Sequence, residues 1–316
     1  MHAPLSRRAK LIAAFATLYV VWGSTYLAIR IGLSAEMPPA IFAGLRLLPA
    51  GVLLLAFSWL RGRSVRMRPE DLRTTAMVGT LLLVGGMYST FLSERVIPSG
   101  LAALVVALLP LWIALAEWML PDMERPSARG LAGLALGLTG LAILVAPRVT
   151  GVHGTPQELV GIAIQILGTW LWTTGSVYSK RHPVKADALV GTGYQMLISG
   201  ALLLAIGTAA GEWSRLSLSP RSVGALAYLA IVGSCVAFTA FVWLLRNAPA
   251  SKVMTYAYVN PAIAVVLGHA AGRVGLVPPE PIDGWTIAGT VVIIVGVALA
   301  TSAPVRPPRK RSGPPS

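Results

Sequence analysis

Residues 40–60 read AIFAGLRLLPAGVLLLAFSWL, and this stretch decides the class of fold. It holds 21 residues and a single charge, Arg46. A helix rises about 1.5 Å per residue, so a helix of this length crosses the roughly 30 Å hydrocarbon core of a bilayer. A buried helix of a soluble protein needs only about 10–14 apolar residues. The stretch therefore predicts a transmembrane helix.

Nine other apolar runs of comparable length flank this one. The ten predicted spans are 10–32, 40–60, 74–93, 99–120, 129–147, 159–179, 188–210, 224–245, 251–272 and 284–302. Backbone polar groups find no water inside a bilayer, so the spans must be helices. Charged residues make up only 12% of the chain, whereas a soluble domain carries about 25%. We predict an all-α membrane protein with ten transmembrane helices, whose first partner is the lipid bilayer.

Lysine and arginine residues are unevenly divided between the two sets of loops. With the N-terminus inside, the segments on that side hold 19 of them and the opposite ends hold six. This bias sets orientation, so we expect a multi-pass protein of the cell inner membrane with both termini cytoplasmic. Residues 1–9 form the cytoplasmic N-terminus, and the basic, proline-rich residues 303–316 form a disordered cytoplasmic tail. Because the basic residues flank the spans, the net charge of +14 does not indicate nucleic-acid binding.

Several classes of chemistry are disfavoured. Cys235 is the single cysteine, which leaves no intrachain disulfide and no cysteine metal cluster. The sequence has no nucleotide-binding loop of the Gly-x4-Gly-Lys-Ser/Thr type. Metal-dependent membrane enzymes need paired acidic residues, but the four aspartates are all predicted in loops, at Asp71, Asp122, Asp187 and Asp283. We predict no catalytic residue, metal or cofactor; a membrane-embedded enzyme and a non-transporting channel or receptor are the alternatives.

The two halves of the chain resemble each other at an offset of 151–156 residues. The features that recur in order are Gly23–Tyr26 and Gly175–Tyr178, Arg95–Pro98 and Arg246–Pro249, Pro110 and Pro261, and the pairs Gly133/Gly140 and Gly289/Gly296. A repeat of five helices has an odd count, so its second copy must cross in the opposite sense. We predict two inverted five-helix repeats, 10–147 and 159–302, as in secondary transporters with a site near the midplane. A symmetric bundle that transports nothing is the alternative.

A set of short motifs also resembles a known family. They are Trp22–Ile29 (WGSTYLAI), Gly44–Arg46 (GLR), Pro98–Gly100 (PSG), Leu109–Leu111 (LPL) and Tyr256–Pro261 (YAYVNP). Their combination, over residues 11–302, is similar to the EamA-type members of the drug/metabolite transporter superfamily. The resemblance implies a central cavity and, usually, export of amino acids or other metabolites. We expect a secondary transporter of small metabolites or drug-like compounds that works by alternating access. The sequence leaves open whether it forms a homodimer.

Spans one and six carry unusually many polar and aromatic residues. Tyr19, Trp22 and Tyr26 are three and four residues apart, so they share one face of span one. We predict that the two spans line one substrate cavity through Trp22, Ser24, Thr25 and Tyr26 and through Gln165, Trp172 and Ser176. Helix packing and interhelical hydrogen bonding are the alternatives.

Span nine places Tyr256, Tyr258 and Asn260 directly before Pro261. Proline removes a backbone donor and clashes with the carbonyl four residues earlier, so we predict helix kinks at Pro261 and at its counterpart Pro110. Carbonyl groups opened by a kink, beside tyrosine and asparagine side chains, favour a polar substrate site. A purely structural kink is the alternative.

Charged residues in or near the spans give the last predictions. Arg46 is the one cation within a span, which is costly. We expect it to pair with Glu94 or with a substrate carboxylate, unless it snorkels to the interface. Glu117 and Glu94 are the predicted proton-coupling residues. Glu94 also fits a position at the interface, and Glu117 also fits an ion pair with a nearby arginine.

Overall fold

The structure is a computed structural model that describes residues 6–119, 127–149, 155–248, 253, 256–280 and 282–302. Within these ranges the regular structure is entirely helical, which confirms the predicted all-α class. The helices are α1 Arg7–Ser34, α2 Pro39–Leu60, α3 Pro69–Ser93, α4 Ser99–Val106 with Leu109–Met119, α5 Ala128–Val149, α6 Pro156–Arg181, α7 Ala188–Ala209, α8 220–247, α9 Tyr256–Arg273 and α10 Gly284–Thr301. A short 3-10 helix, Glu212–Arg215, precedes α8.

Eight of these helices, α1 to α8, are long and apolar enough to cross a membrane. The shorter α10 is apolar over Gly284–Ala300. Residues 249–252 and 254–255, which open the predicted ninth span, lie outside the described residues. The chain is therefore a multi-pass membrane protein, and for α9 and α10 the crossing stays a prediction.

The helix starts follow from local sequence. Proline opens α2, α3, α6 and α8, where its missing N–H costs nothing. Asp187 and Asp283 accept from the first-turn amides of α7 and α10, which agrees with their predicted positions just outside helices. Asp71 does not lie in a loop as predicted: it is buried in the first turn of α3, where the helix dipole favours an anion and Arg68 donates to it at 3.0 Å.

Three helices depart from regular α geometry. The helix from Ser99 ends at Val106, and α4 resumes at Leu109. Val106 is the residue whose carbonyl would meet the ring of Pro110, which accounts for the interruption. Thr80–Met87 in α3 and Tyr228–Val236 in α8 are π-helical. By contrast, α9 runs through Pro261 as one α-helix, and the kink predicted there stays a prediction.

Glycines allow α2 to cross α7 at close range. A Cβ atom added to Gly51 would lie 2.8 Å from the carbonyl oxygen of Gly193, and one added to Gly44 would lie 3.1 Å from that of Gly200. The earlier residue of α2 thus meets the later residue of α7. The two helices therefore run antiparallel.

The same arrangement joins α5 to α10. A Cβ atom on Gly133 would lie 2.7 Å from the carbonyl oxygen of Gly296, and one on Gly140 would lie 3.1 Å from that of Gly289. These four glycines were the pairs whose equal spacing marked the repeat in the sequence. They also contact one another, again across an antiparallel crossing.

A hydrophobic core surrounds each of the two helix crossings. One core is built mainly from α1, α2, α3, α7 and α8 and includes Phe42, Phe91 and Met196. The other is built from α4, α5, α6 and α10 and includes Leu108 and Ile293. Between them, α1 packs against α8 and α9, and α6 packs against α3 and α4. These six central helices carry most of the buried polar side chains.

Candidate functional site

An aromatic cluster surrounds Trp22 where α1 meets α8 and α9. The ring centroid of Trp22 lies 5.3 Å from Phe238, 5.2 Å from Phe241 and 4.9 Å from Tyr256. Two of these pairs meet edge to face, a favourable geometry for aromatic rings. The structure thus brings together Trp22 and Tyr256, two predicted site residues from spans one and nine. We call Trp22, Phe238, Phe241 and Tyr256 the aromatic cluster.

Polar side chains border this cluster. Ser24 Oγ lies 2.6 Å from the phenolic oxygen of Tyr228 on α8. Thr25 donates within its own helix to the Trp22 carbonyl oxygen at 2.7 Å. Ser24 therefore joins two central helices, whereas the hydroxyl of Thr25 is satisfied locally.

Asn260 links α9 to α1. Its side chain is 7% exposed. With the amide nitrogen facing the two carbonyl groups, it donates to Tyr19 O at 3.1 Å and to Tyr256 O at 3.2 Å. Gly23 allows this close crossing, since a Cβ there would lie 3.4 Å from the Asn260 Cα and 2.8 Å from the Ile263 Cβ. Asn260 therefore joins α1 and α9, two of the three helices that carry the aromatic cluster.

Arg46 is buried, with 5% of its surface exposed. Its Nε donates to Ser234 Oγ at 3.1 Å, and its guanidinium carbon lies 6.0 Å from the ring centroid of Phe91. The hydroxyl of Ser234 in turn donates to the Leu229 carbonyl oxygen in the π-helical part of α8. Neither contact supplies an anion, and the described partners of this guanidinium are a hydroxyl dipole and an aromatic face.

Gln165, the first predicted residue of α6, lies in the contact between α6 and α3. It is buried, accepts from Ser93 Oγ at 2.6 Å and donates to Thr90 Oγ1 at 3.3 Å. Trp172 packs against the α3 π-helical segment at Gly86, where an added Cβ would lie 2.9 Å from the indole. Ser176 donates to the Trp172 carbonyl oxygen of its own helix at 2.8 Å. Gln165 and Trp172 are thus grouped with α3 and not with the aromatic cluster, and the hydroxyl of Ser176 is satisfied within α6.

Glu94 lies at the end of α3 and is completely buried, at 0% exposure. Among the described residues, neither of its carboxylate oxygens has a hydrogen-bond partner. The predicted pairing with Arg46 is not the one found: Arg30 of α1 donates to the backbone carbonyl of Glu94, and its Nε lies 3.8 Å from Glu280 Oε1. Arg30, Glu94 and Glu280 form a second cluster, which we call the charged triad.

Tyr26 lies between the two clusters. It is half-buried, and it lies four residues from Trp22 and four from Arg30 on the same helix. Along α1, the eight residues from Trp22 to Arg30 correspond to about 12 Å. The predicted residues of span one therefore connect the aromatic cluster with the charged triad.

Glu280 comes from the loop between α9 and α10 and caps another helix. Its carboxylate accepts from Ser99 N at 3.0 Å, from Ser99 Oγ at 2.8 Å and from Gly100 N at 3.5 Å. The N-terminus of α4 thus receives the anion that its free N–H groups and dipole favour. His269 adds a contact from α9, with Nδ1 3.0 Å from the Glu280 carbonyl oxygen.

Two predicted residues receive no side-chain description: Tyr258 in α9 and Glu117 in α4. Conversely, sequence reasoning missed Tyr228, Phe238 and Phe241 on α8, and Arg30 and Glu280 in the charged triad. The motif Pro98–Gly100 offered one signal, because a helix that starts at Ser99 without its own acidic residue favours an anion from elsewhere.

A cavity of about 330 Å³ opens at the end of α1 and not beside Trp22. Its lining residues are Ile31, Ser34, Ala35, Glu36, Ser217, Ser219, Arg221 and Leu276. A smaller cavity of about 30 Å³ adjoins Glu280 and the N-terminus of α4. Solvent-accessible space therefore approaches the charged triad from this end of the molecule.

Comparison with known proteins agrees with this architecture. The EamA-like transporter family matches residues 9–146 and 159–302. The chain is 37% identical to the "Uncharacterized inner membrane transporter YedA" of Escherichia coli (strain K12), over 92% of this chain and 90% of that protein. It is 27% identical to the "WAT1-related protein At3g02690, chloroplastic" of Arabidopsis thaliana, over 89% of this chain and 67% of that one.

A solved crystal structure has the same fold. It is 23% identical in sequence, superimposes with a TM-score of 0.64, and covers 94% of this chain and 98% of its own. The family match spans both halves of the chain, which confirms the resemblance drawn from its motifs. The chain belongs to the EamA-like transporter family.

Proposed function

We propose that the protein is a secondary transporter of the inner membrane that exports small metabolites by alternating access of two inverted five-helix repeats. The observation that carries the proposal is the pair of glycine crossings. The second helix of one repeat meets the second helix of the other antiparallel, and so do the two fifth helices. Copies inserted in the same sense would place such mates parallel, whereas inverted copies place them antiparallel.

The remaining helix contacts support the same repeat. In the first half α1 packs against α8 and α9, and in the second half its counterpart α6 packs against α3 and α4. Each helix has its counterpart five positions away in the chain, so α1, α8 and α9 correspond to α6, α3 and α4. The two sets of contacts are therefore equivalent. The π-helical segments Thr80–Met87 and Tyr228–Val236 also lie in counterpart helices. Such segments often occur at functional sites, and here they pack against the central helices.

The substrate site in this proposal lies between the central helices. It takes in Trp22, Ser24, Tyr26, Tyr256 and Asn260 on one side. Gln165, Trp172 and Ser176 are their counterparts on α6, and Thr25, Arg46 and Tyr258 complete the set. In the present arrangement the rings of the aromatic cluster contact one another. A substrate enters when these rings separate, as α1 and α9 move relative to α8.

Arg46 narrows the substrate class. It is buried in a membrane helix, yet its described contacts are a hydroxyl and an aromatic ring. A substrate carboxylate would supply the anion that this guanidinium lacks, in a bidentate geometry suited to arginine. We therefore favour amino acids and other carboxylates over cationic drugs. Glu94 is the better placed of the two predicted proton-coupling residues, since its buried carboxylate has no described hydrogen bond.

The proposal is tested by a ligand screen followed by transport. Purified protein is heated with amino acids, other carboxylates, amines and nucleosides, and a ligand that binds the folded state raises the melting temperature. The stabilising compound is then assayed in proteoliposomes. Trp22→Ala is expected to abolish stabilisation and transport, whereas Trp59→Ala, which removes a 65% exposed tryptophan of α2, is expected to retain both.

Folding of both variants is checked by gel filtration in detergent. Equal transport by well-folded Trp22→Ala and Trp59→Ala would remove the aromatic cluster from the site.

Both termini are proposed to be cytoplasmic. A reporter that is active only in the cytoplasm is therefore expected to be active when it is fused to either end. Cross-linking in the bilayer tests for a homodimer.

A further inference from the structure

The carboxylates of the charged triad differ sharply in their surroundings. Glu280 receives two backbone N–H groups and one hydroxyl at the N-terminus of α4, so its anionic form is well solvated by the protein. Glu94 has no described donor to either oxygen, although it is fully buried. An unpaired charge in such a place is costly, and a carboxyl group there is cheaper to bury in its neutral form.

One cation, Arg30, contacts both glutamates, but it reaches the carboxylate of Glu280 only. Arg30 donates to the backbone of Glu94, while its Nε lies 3.8 Å from Glu280 and has no hydrogen-bond partner among the described residues. The other ionisable groups that face the triad are Tyr26 from α1 and His269 from α9, and Arg95 follows Glu94 in the chain. With both acids charged and only Arg30 in contact, the buried triad would carry a net negative charge. A proton on Glu94 removes it.

The triad also joins parts of the chain that must separate during transport. Arg30 and Glu94 belong to the first half, and Glu280 belongs to the loop between α9 and α10 in the second. Its carboxylate bonds to Ser99 and Gly100 hold that loop on the N-terminus of α4. The positive-inside bias places this end of the molecule outside. The cavity of about 30 Å³ beside Glu280 lies along the same contact.

We propose that the charged triad is a proton-binding outer gate: the Glu280 cap on α4 closes it, and Glu94 beneath exchanges a proton with external water when it opens. In the open gate Glu94 releases its proton to water as the carboxylate becomes hydrated, and before closure it takes one back. No other bond changes. The coupling of this step to a substrate rests on the proposed transport function, but the proton site and the gate can be tested without any substrate.

Glu212 supplies a matched control. Its Oε2 accepts from Ala40 N and Ile41 N at 3.0 Å each, so it caps α2 in the way that Glu280 caps α4. It is similarly buried, and it opens the short 3-10 helix between α7 and α8, in the second half of the chain and on the same predicted side. No buried carboxylate without a donor is described beside it. Replacing Glu212 therefore removes a cap of the same chemistry without touching the triad.

The first experiment detects the proton directly. Infrared difference spectra of the full chain in lipid nanodiscs, recorded between pH 5 and pH 9, are expected to show the carbonyl band of a protonated carboxylic acid. Glu94→Gln should abolish that band, and Glu212→Gln should leave it in place. A band that persists unchanged in Glu94→Gln, or its absence from the unaltered protein over the whole range, would overturn the proton site.

The second experiment measures the gate. In a Cys235→Ser background, Ile97→Cys places a thiol at a fully buried position, three residues after Glu94 and two before Ser99 in the chain. Its labelling by a membrane-impermeant maleimide is followed from the external side of intact cells. Glu280→Gln is expected to raise the labelling rate about tenfold or more, the scale for loss of hydrogen bonds to a charged group. Glu212→Gln should leave the rate unchanged.

Equal rates in Glu280→Gln and the unaltered background would contradict the gate, and so would equal increases in both variants. Glu280→Asp serves if the glutamine variant does not fold, because it keeps the charge but shortens the reach to Ser99. The two proposals fail separately. A substrate that is transported independently of pH, with the Glu94 band present, overturns the coupling role of the gate and leaves the transport function intact.

Discussion

Asn260 and Glu94 show how single buried polar groups define the central helices. Asn260 satisfies its amide on the carbonyl groups of two helices, α1 and α9. Removing this side chain loses both bonds, one of which joins the two helices. Glu94 is the opposite case, since its carboxylate has no described donor. Asn260 therefore holds two helices together. Glu94 is unfavourable to bury as a charged carboxylate, and protonation would remove that unfavourable energy.

Replacing Asn260 tests this role. Asn260→Ala removes both bonds, and we expect a loss of about 1–2 kcal/mol in the free energy of unfolding, measured by denaturation in mixed micelles. Asn247→Ala is the matched control, because the Asn247 amide donates only to Trp243 of its own helix, at 2.8 Å. An equal loss in the two variants would show that the bridge between α1 and α9 adds nothing.

The features that position the helices differ in how well the sequence predicts them. Apolar length predicted all eight of the helices that can cross a membrane. Pro110 predicted a kink in span four, since its clash acts on a carbonyl only four residues away, and α4 is interrupted next to it, between Val106 and Leu109. Glu280 could not be foreseen as the cap of α4, because it lies 181 residues from Ser99 in the chain. Local sequence signals thus indicated where helices begin and end. The charged triad could be recognised only from the three-dimensional structure.

The glycine crossings were only partly predictable from the sequence. The equal spacing of Gly133/Gly140 and Gly289/Gly296 was visible as a repeat. Their mutual contact was not, because spacing within a helix does not identify the helix opposite. The structure supplies this contact: the carbonyl oxygen of Gly289 lies 3.1 Å from the place of a Gly140 Cβ. A repeat motif in the sequence here marks a packing interface.

Gly140→Ala tests the crossing of α5 and α10. Its methyl group would lie 2.7 Å from the backbone nitrogen of Ile293, so the helices must move apart. We expect a loss of about 1–3 kcal/mol in the free energy of unfolding. Gly191→Ala in α7 meets nothing within 4 Å and is expected to be neutral or up to about 1 kcal/mol stabilising, because alanine favours helix. A harmless Gly140→Ala would mean that the crossing tolerates separation.

At the scale of the whole molecule, two closures lie one above the other along α1. The aromatic cluster closes the region around Trp22, and the charged triad closes the end near Arg30. The halves of the chain are joined by the antiparallel pairs α2–α7 and α5–α10. Such pairs can act as hinges while the central helices rock between them. In the transport cycle that we propose, one closure opens only while the other is shut.

Spin-label distances test that alternation most directly. In the Cys235→Ser background, one pair of labels at Ser34 and Arg221 spans the predicted outer end, and a second pair at Arg61 and Arg181 spans the inner end. The protein in nanodiscs is measured by double electron–electron resonance at pH 5 and pH 9, and with any stabilising ligand. The account predicts opposite changes, with the outer distances lengthening as the inner distances shorten. Distances that stay fixed at both ends, or that lengthen and shorten together, would contradict it.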